Sequence, residues 1–199
     1  HADGLTPQYP NSDYAKANAG IAIADKPQGP FKLLGSYDLN YVEDDDQGYD
    51  GWDNLGTVRD MNLFVDDDKT AYIIYSSQGN RTTFVSKLND EYTDLAVSRD
   101  EAIEGVHFTK NFEGKSREAP AMFKYDGKYY MINSGCSGWE PNEAQYAVAD
   151  HPMGPWTVMW NPCEGSDSNK TFTRNYPHNV HHWQNSKTHC PIKLMSQSA

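Results

Sequence analysis

Two acidic residues, Asp60 and Glu118, stand 58 positions apart, each directly after an arginine, Arg59 and Arg117. In both copies an acidic turn residue follows eight positions on (Asp68, Asp126) and a tyrosine twelve positions on (Tyr72, Tyr130). Carboxylates repeated at one structural place would point into one cavity. Two that converge push their pKa values apart, because both cannot ionise easily at close range. One then keeps its proton and the other its charge, which is the equipment for handing a proton to a departing oxygen. Each Arg–acid pair could instead be a salt bridge at a strand end, and such exposed pairs contribute little. The repetition of both residues at an inward-facing place is what argues for chemistry.

The elements that must aim these groups are hairpins. Arg117-Glu118-Ala119-Pro120 leads into Ala121 to Tyr125, then Asp126-Gly127, then Lys128 to Ile132. That order reads as strand, tight Asp-Gly turn, strand. Pro120 is expected to force extended backbone on Ala119. A second repeated element, Ala22-Ile23-Ala24-Asp25-Lys26-Pro27-Gln28-Gly29-Pro30-Phe31, is matched 125 residues later by Ala147-Val148-Ala149-Asp150-His151-Pro152-Met153-Gly154-Pro155-Trp156. The unit is therefore about 60 residues, a hairpin plus two further short strands, which is the pattern of β-propeller blades.

Taken in order, residues 1–35 read as the end of a first blade whose front half is absent, with strands at Ala19 to Ala24 and Phe31 to Leu34. Residues 36–58 are an acidic, Gly-containing insertion, either a calcium loop or a solvated rim loop; the twelve-residue calcium pattern is missing. Residues 59–104 form the second blade: Met61 to Val65, Ala71 to Ser76, Thr83 to Leu88 and Leu95 to Ser98, with Asp66-Asp67-Asp68-Lys69 as a hairpin turn or, less simply, a metal cluster. Residues 117–163 form the third blade, through Ala121 to Tyr125, Lys128 to Ser134, Gln145 to Ala149 and Trp156 to Trp160. Residues 164–199 lose the pattern and are expected to be an irregular or disordered tail, although His178, His181, His182 and His189 fall there. No metal site or cofactor is assigned. The loop Ser134-Gly135-Cys136-Ser137-Gly138-Trp139 should lie on the cavity face. Trp139 could be a sugar-stacking platform and Ser137 or Asn80 a hydroxyl partner; each could equally be a packed loop residue.

Composition narrows the partners. A net charge of −11 argues against nucleic acid and anionic membrane surfaces. No apolar run approaches the ~20 residues of a membrane span. Three cysteines are too few for a disulfide framework: Cys136 and Cys163 could pair, or both could be buried thiols. Asn80-Arg81-Thr82 and Asn169-Lys170-Thr171 match the glycosylation sequon, a short pattern frequent by chance. The chain starts at His1, so a leader could have been removed, and an extracellular or periplasmic location is expected.

At Arg59-Asp60-Met61-Asn62-Leu63-Phe64-Val65, Tyr75-Ser76-Ser77, Arg117 to Tyr125 and Ser134 to Trp139 the sequence resembles glycoside hydrolase family 43, most of all its exo-β-1,3-galactanase branch. The two Ala-Asp-x-Pro-x-Gly-Pro-aromatic elements fit the same family. The resemblance covers residues 1–163 and implies an all-β, five-bladed β-propeller, here incomplete at about three blades. It implies an inverting, exo-acting hydrolase that releases galactose from β-1,3-galactan, so the partner is a poly- or oligosaccharide substrate. Glu118 matches the general acid and Asp60 the acid that orients it and tunes its pKa. Tyr14, Asn80 and Ser137 fall where the galactose contacts would lie. The ordinary base of the family is an Asp at the start of the first blade, before this chain begins. The galactanase branch resembles an arrangement with a Gln in a Gln-Ser sequence, which Gln197-Ser198 matches only in letters. Alternatives are a family 43 arabinofuranosidase or β-xylosidase, and a propeller that binds galactan without cleaving it.

Overall fold

The computed structural model describes residues 17–42, 56–137, 142 and 144–159. Tyr14, Trp139, Cys163, Cys190, most of the acidic insertion, the four tail histidines, Asn169 and Gln197-Ser198 lie outside these described residues.

Ten strands are described, in three antiparallel sheets. The first sheet has two strands, β1 (Ala19–Ile23) and β2 (Lys32–Tyr37). The second runs β3 (Met61–Val65), β4 (Ala71–Ser77), β5 (Thr82–Lys87), β6 (Phe108–Asn111) in spatial order. The third runs β7 (Arg117–Tyr125), β8 (Lys128–Gly135), β9 (Gln145–Ala149), β10 (Thr157–Val158). Two four-stranded meanders and a two-stranded half-sheet are the blade pattern read from the repeat.

Strand β4 explains how the sheets stack. All seven of its residues are buried, so Ala71 to Tyr75 read as a continuous run instead of an alternation, closed by the buried Ser76 and Ser77. Its two faces serve different cores, as a period of two requires. Ile73 and Tyr75 pack with Ala19, Leu39, Val58, Phe84 and Phe108 toward the first sheet, while Tyr72 and Ile74 pack with Val85, Met122, Met131 and Met153 toward the third. Rings extend the first core: Tyr75 stacks on Phe84 at 5.4 Å and Phe84 on Phe108 at 6.0 Å.

The turns follow their residues. Asp126 (φ +47°) and Gly127 (φ +72°) join β7 to β8 with both central residues left-handed, the backbone that an Asp-Gly pair supplies for a two-residue hairpin. The repeated Gly-Pro-aromatic elements share a fold-back. A Cβ on Gly29 (φ +83°) would lie 3.0 Å from the Phe31 ring, and one on Gly154 (φ +88°) 2.8 Å from Trp156. Only glycine fits where the following aromatic ring lies over the backbone.

Two sequence expectations need correction. The outer strand of the second sheet is β6, beyond residue 104, and not Leu95 to Ser98. Asn89 accepts the N–H groups of Thr93 (2.9 Å) and Asp94 (3.2 Å) through Oδ1, so the chain turns at once. Leu95 then makes a lone bridge to Leu88 and packs only partly buried against the core that Phe108, 3% exposed, enters fully. Ala119 is not extended: its φ is +49°. Glu118 pairs with Ser134 but Ala121 with Ile132, so Ala119 and Pro120 together face the single residue Asn133 in a β-bulge. Pro120 has no N–H to lose there, which is why a proline is tolerated inside this strand.

The Asp66 turn ties the second sheet to the third. Lys124 Nζ reaches Asp66 Oδ1 at 2.7 Å and Asp67 Oδ2 at 2.9 Å, and the Tyr129 hydroxyl donates to Asp66 Oδ2. Burial alone would raise the Asp66 pKa, but the hydrogen bonds from Lys124 and Tyr129 outweigh it and hold the carboxyl below its ordinary value. A depressed folded pKa contributes stability that is complete above the unfolded value of 3.8 and is lost as pH falls through the folded one. Asp66→Asn is therefore expected to lower the urea midpoint at neutral pH, with the gap to the native protein closing below pH ~3.8. A gap that stays constant into acid would show that the charge on Asp66 contributes nothing.

Candidate active site

Asp60 and Glu118 enter the site from equivalent places, the starts of the innermost strands β3 and β7. Both strand starts are tied to the end of β4: Ser76 donates its N–H to the Asp60 carbonyl at 2.9 Å and its hydroxyl to the Arg117 carbonyl at 2.8 Å. Ser76 is fully buried, so one well-packed residue holds the backbones of both acids.

The Glu118 carboxyl is half-buried, and its Oε1 accepts two donors: Asn80 Nδ2 at 2.7 Å and the Cys136 thiol at 3.3 Å. Asn80 comes from the β4–β5 turn, where Gln78 (φ +53°), Gly79 (φ +61°) and Asn80 (φ +66°) are all left-handed. Asparagine is among the few non-glycine residues that visit this region readily. Cys136 follows the end of β8, beside the strand that carries Glu118. Burial, and next the adjoining Glu118 carboxylate, push its thiol pKa up.

The Asp60 carboxylate makes a different bond. Its Oδ2 accepts the N–H of Ala119 at 3.0 Å, fastening the bulge directly behind Glu118. The acid is thus aimed from both ends, its carboxyl by Asn80 and Cys136 and its backbone by Asp60.

Ser137 lies at the far side of the Cys136 turn, and its hydroxyl oxygen accepts from Asn142 Nδ2. Asn142 also takes the Gly135 N–H on Oδ1 (2.9 Å) and donates to the Gly135 carbonyl (2.8 Å), so its amide imitates a neighbouring strand. Of the residues named from sequence, the structure brings together Asp60, Glu118 and Asn80. Ser137 stands one residue from Cys136, and Tyr14 and Trp139 fall outside the described residues. Cys136, read from sequence as half of a disulfide or a buried thiol, is instead exposed and lies against Glu118, and Asn142 was not named. The available signal was an Asn placed a few residues beyond a Gly-containing turn, where a side-chain amide can close the loop. Among the described residues, no group of three or more His, Cys, Asp or Glu side chains is placed to hold a metal ion.

The model of the family described as Glycosyl hydrolases family 43 matches residues 7–179. The chain belongs to that family. Its fold is the five-bladed β-propeller, of which the sheets above are blades. A family 43 β-1,3-galactosidase solved with galactodeoxynojirimycin is 31% identical, with a TM-score of 0.66 over 81% of this chain and 54% of that one. An exo-β-1,3-galactanase from Clostridium thermocellum is 30% identical, with a TM-score of 0.62 over 77% of this chain and 30% of that one. An exo-β-1,3-galactanase from Phanerochaete chrysosporium, solved with β-1,3-galactotriose, is 27% identical, with a TM-score of 0.59 over 82% and 32%. These likenesses agree with the galactanase branch. A curated β-xylosidase from Xylanibacter ruminicola is 25% identical over 76% of this chain. The chain spans 51% of the length of that relative.

Proposed function

We propose that the family 43 protein carried by this chain is an inverting, exo-acting hydrolase that releases galactose from β-1,3-galactan, with Glu118 as general acid and Asp60 as the residue that orients it. The observation that supports it is the double fastening of Glu118, by Asn80 and Cys136 at the carboxyl and by Asp60 through Ala119 at the backbone. A general acid must present its proton at one place, and preorganisation of this kind serves that end. In the reaction, Glu118 gives its proton to the glycosidic oxygen as the bond from C1 to that oxygen breaks and its electron pair goes to the oxygen. A water adds to C1 from the opposite face and loses its proton to a general base. In this reading Glu118 and Asp60 carry the acid side of this chemistry.

The substrate is drawn from the printed activities of the neighbours, so it is tested directly. The protein is offered β-1,3-galactan, β-1,4-galactan, xylobiose and an aryl arabinofuranoside, and products are read by chromatography and by the NMR signal of the first anomer formed. Galactose from β-1,3-galactan alone, released first as the α-anomer, is the expected result. Xylose from xylobiose would transfer the reading to the β-xylosidase relative. Galactan binding without release would make it a binding propeller.

A further inference from the structure

Glu118 has two carboxyl oxygens and they are not equivalent. Oε1 receives both donors, Asn80 Nδ2 at 2.7 Å and Cys136 Sγ at 3.3 Å, while no described residue hydrogen-bonds Oε2. The donors also approach each other, Asn80 Nδ2 lying 3.9 Å from Cys136 Sγ. Each has its own support: Asn80 its left-handed turn, Cys136 the Gly135 turn that Asn142 holds. An oxygen that accepts two hydrogen bonds is the carbonyl-like oxygen of a carboxylic acid, and the proton then sits on the other.

We propose that Cys136 is a positioning residue for the general acid: its thiol, with Asn80, pins Oε1 of Glu118 and so makes Oε2 the oxygen that delivers the proton. This rests on the reading of Glu118 as the acid. A thiol suits the place because sulfur reaches 3.3 Å as a weak donor without crowding the carboxyl against the shorter Asn80 bond. Cys136 is also exposed, so the contact can be probed chemically. The groups facing the thiol are Glu118, Asn80 and, as a charge, Asp60. Thiolate is the reactive form, and the S–H bond donated to Glu118 Oε1 disfavours it.

Two measurements test this. Alkylation of Cys136 by iodoacetamide at neutral pH, followed on the Cys136 peptide by mass spectrometry, is expected to run several-fold faster in Glu118→Ala, which removes the acceptor, than in the native protein. Equal rates would overturn the contact, and this readout needs no catalytic activity. On galactan, Cys136→Ala is expected to lower kcat about tenfold with KM within about twofold, and Cys136→Ser to recover part of the loss. A dinitrophenyl galactoside, whose leaving group needs no proton, should be cleaved by the Ala variant at the native rate. Equal losses on both substrates would make Cys136 a structural residue or a sugar contact and overturn the proposal. If Glu118→Gln keeps its galactan activity while alkylation accelerates in Glu118→Ala, the contact stands and the assignment of the acid is what fails.

Discussion

Glu118→Gln is expected to lower kcat/KM on β-1,3-galactan by ~10²–10⁴-fold, the range that a positioned general acid contributes. The substitution removes one proton and almost no volume. Gln retains a carbonyl oxygen that can accept from Asn80 and Cys136, so the fastening at 2.7 and 3.3 Å survives in kind. The half-buried position also keeps its neighbours, and the melting temperature should move by no more than about 4 °C, equivalent to ~1 kcal/mol or less. The loss is then chemical and not structural. It should fall almost wholly on kcat, because an interaction made only in the transition state leaves ground-state binding alone. A dinitrophenyl galactoside provides the internal control, since its departing oxygen is stable without a proton. Galactan cleavage within tenfold of the native rate would remove Glu118 from the acid role.

The features legible in the sequence are those that a local rule determines. The Asp-Gly hairpin at residues 126–127, the paired Gly-Pro-aromatic turns and the strands around them each follow from backbone chemistry a few residues long. Repetition then tied those pieces into blades and put Asp60 and Glu118 at equivalent places. What was not legible depends on contacts across the fold. The left-handed backbone of Ala119 runs against the preference of a residue before proline, and it exists because Asp60, 59 positions away, takes its N–H. The grip of Cys136 on Glu118 needs the register of β7 against β8, which a bulge shifts by one residue. Strand β6 has only four residues, and it is recruited by the ring of Phe108 entering a core built mostly from other strands. Tertiary demand overrides the local pattern at these places, and two of the three lie at the candidate site.

The Asp60–Ala119 bond leads to the second large effect. Asp60→Ala is expected to reduce kcat on galactan by ~10²-fold, the scale on which a small misplacement of a catalytic group is felt. Asp60→Asn, which keeps an acceptor, should fall between the native protein and the Ala variant. The physical route runs through strain. Ala119 at φ +49° carries a cost of ~1–2 kcal/mol that the Asp60 hydrogen bond offsets. Without that bond the bulge can relax, and the Glu118 backbone turns with it. Ala119→Gly isolates this route, because glycine occupies the left-handed region without the Cβ penalty and needs no outside support. In the Gly background Asp60→Ala should therefore cost more stability than in the native background, where relaxation of the bulge recovers the Ala119 strain, with a coupling of ~1 kcal/mol in urea denaturation. Part of the lost kcat should return in the double variant, because glycine keeps the left-handed bulge without Asp60. Strictly additive effects on stability and rate would mean that Asp60 does not act through the bulge. Its carboxylate would then act through its charge on the cavity itself, and the two routes separate cleanly in this cycle.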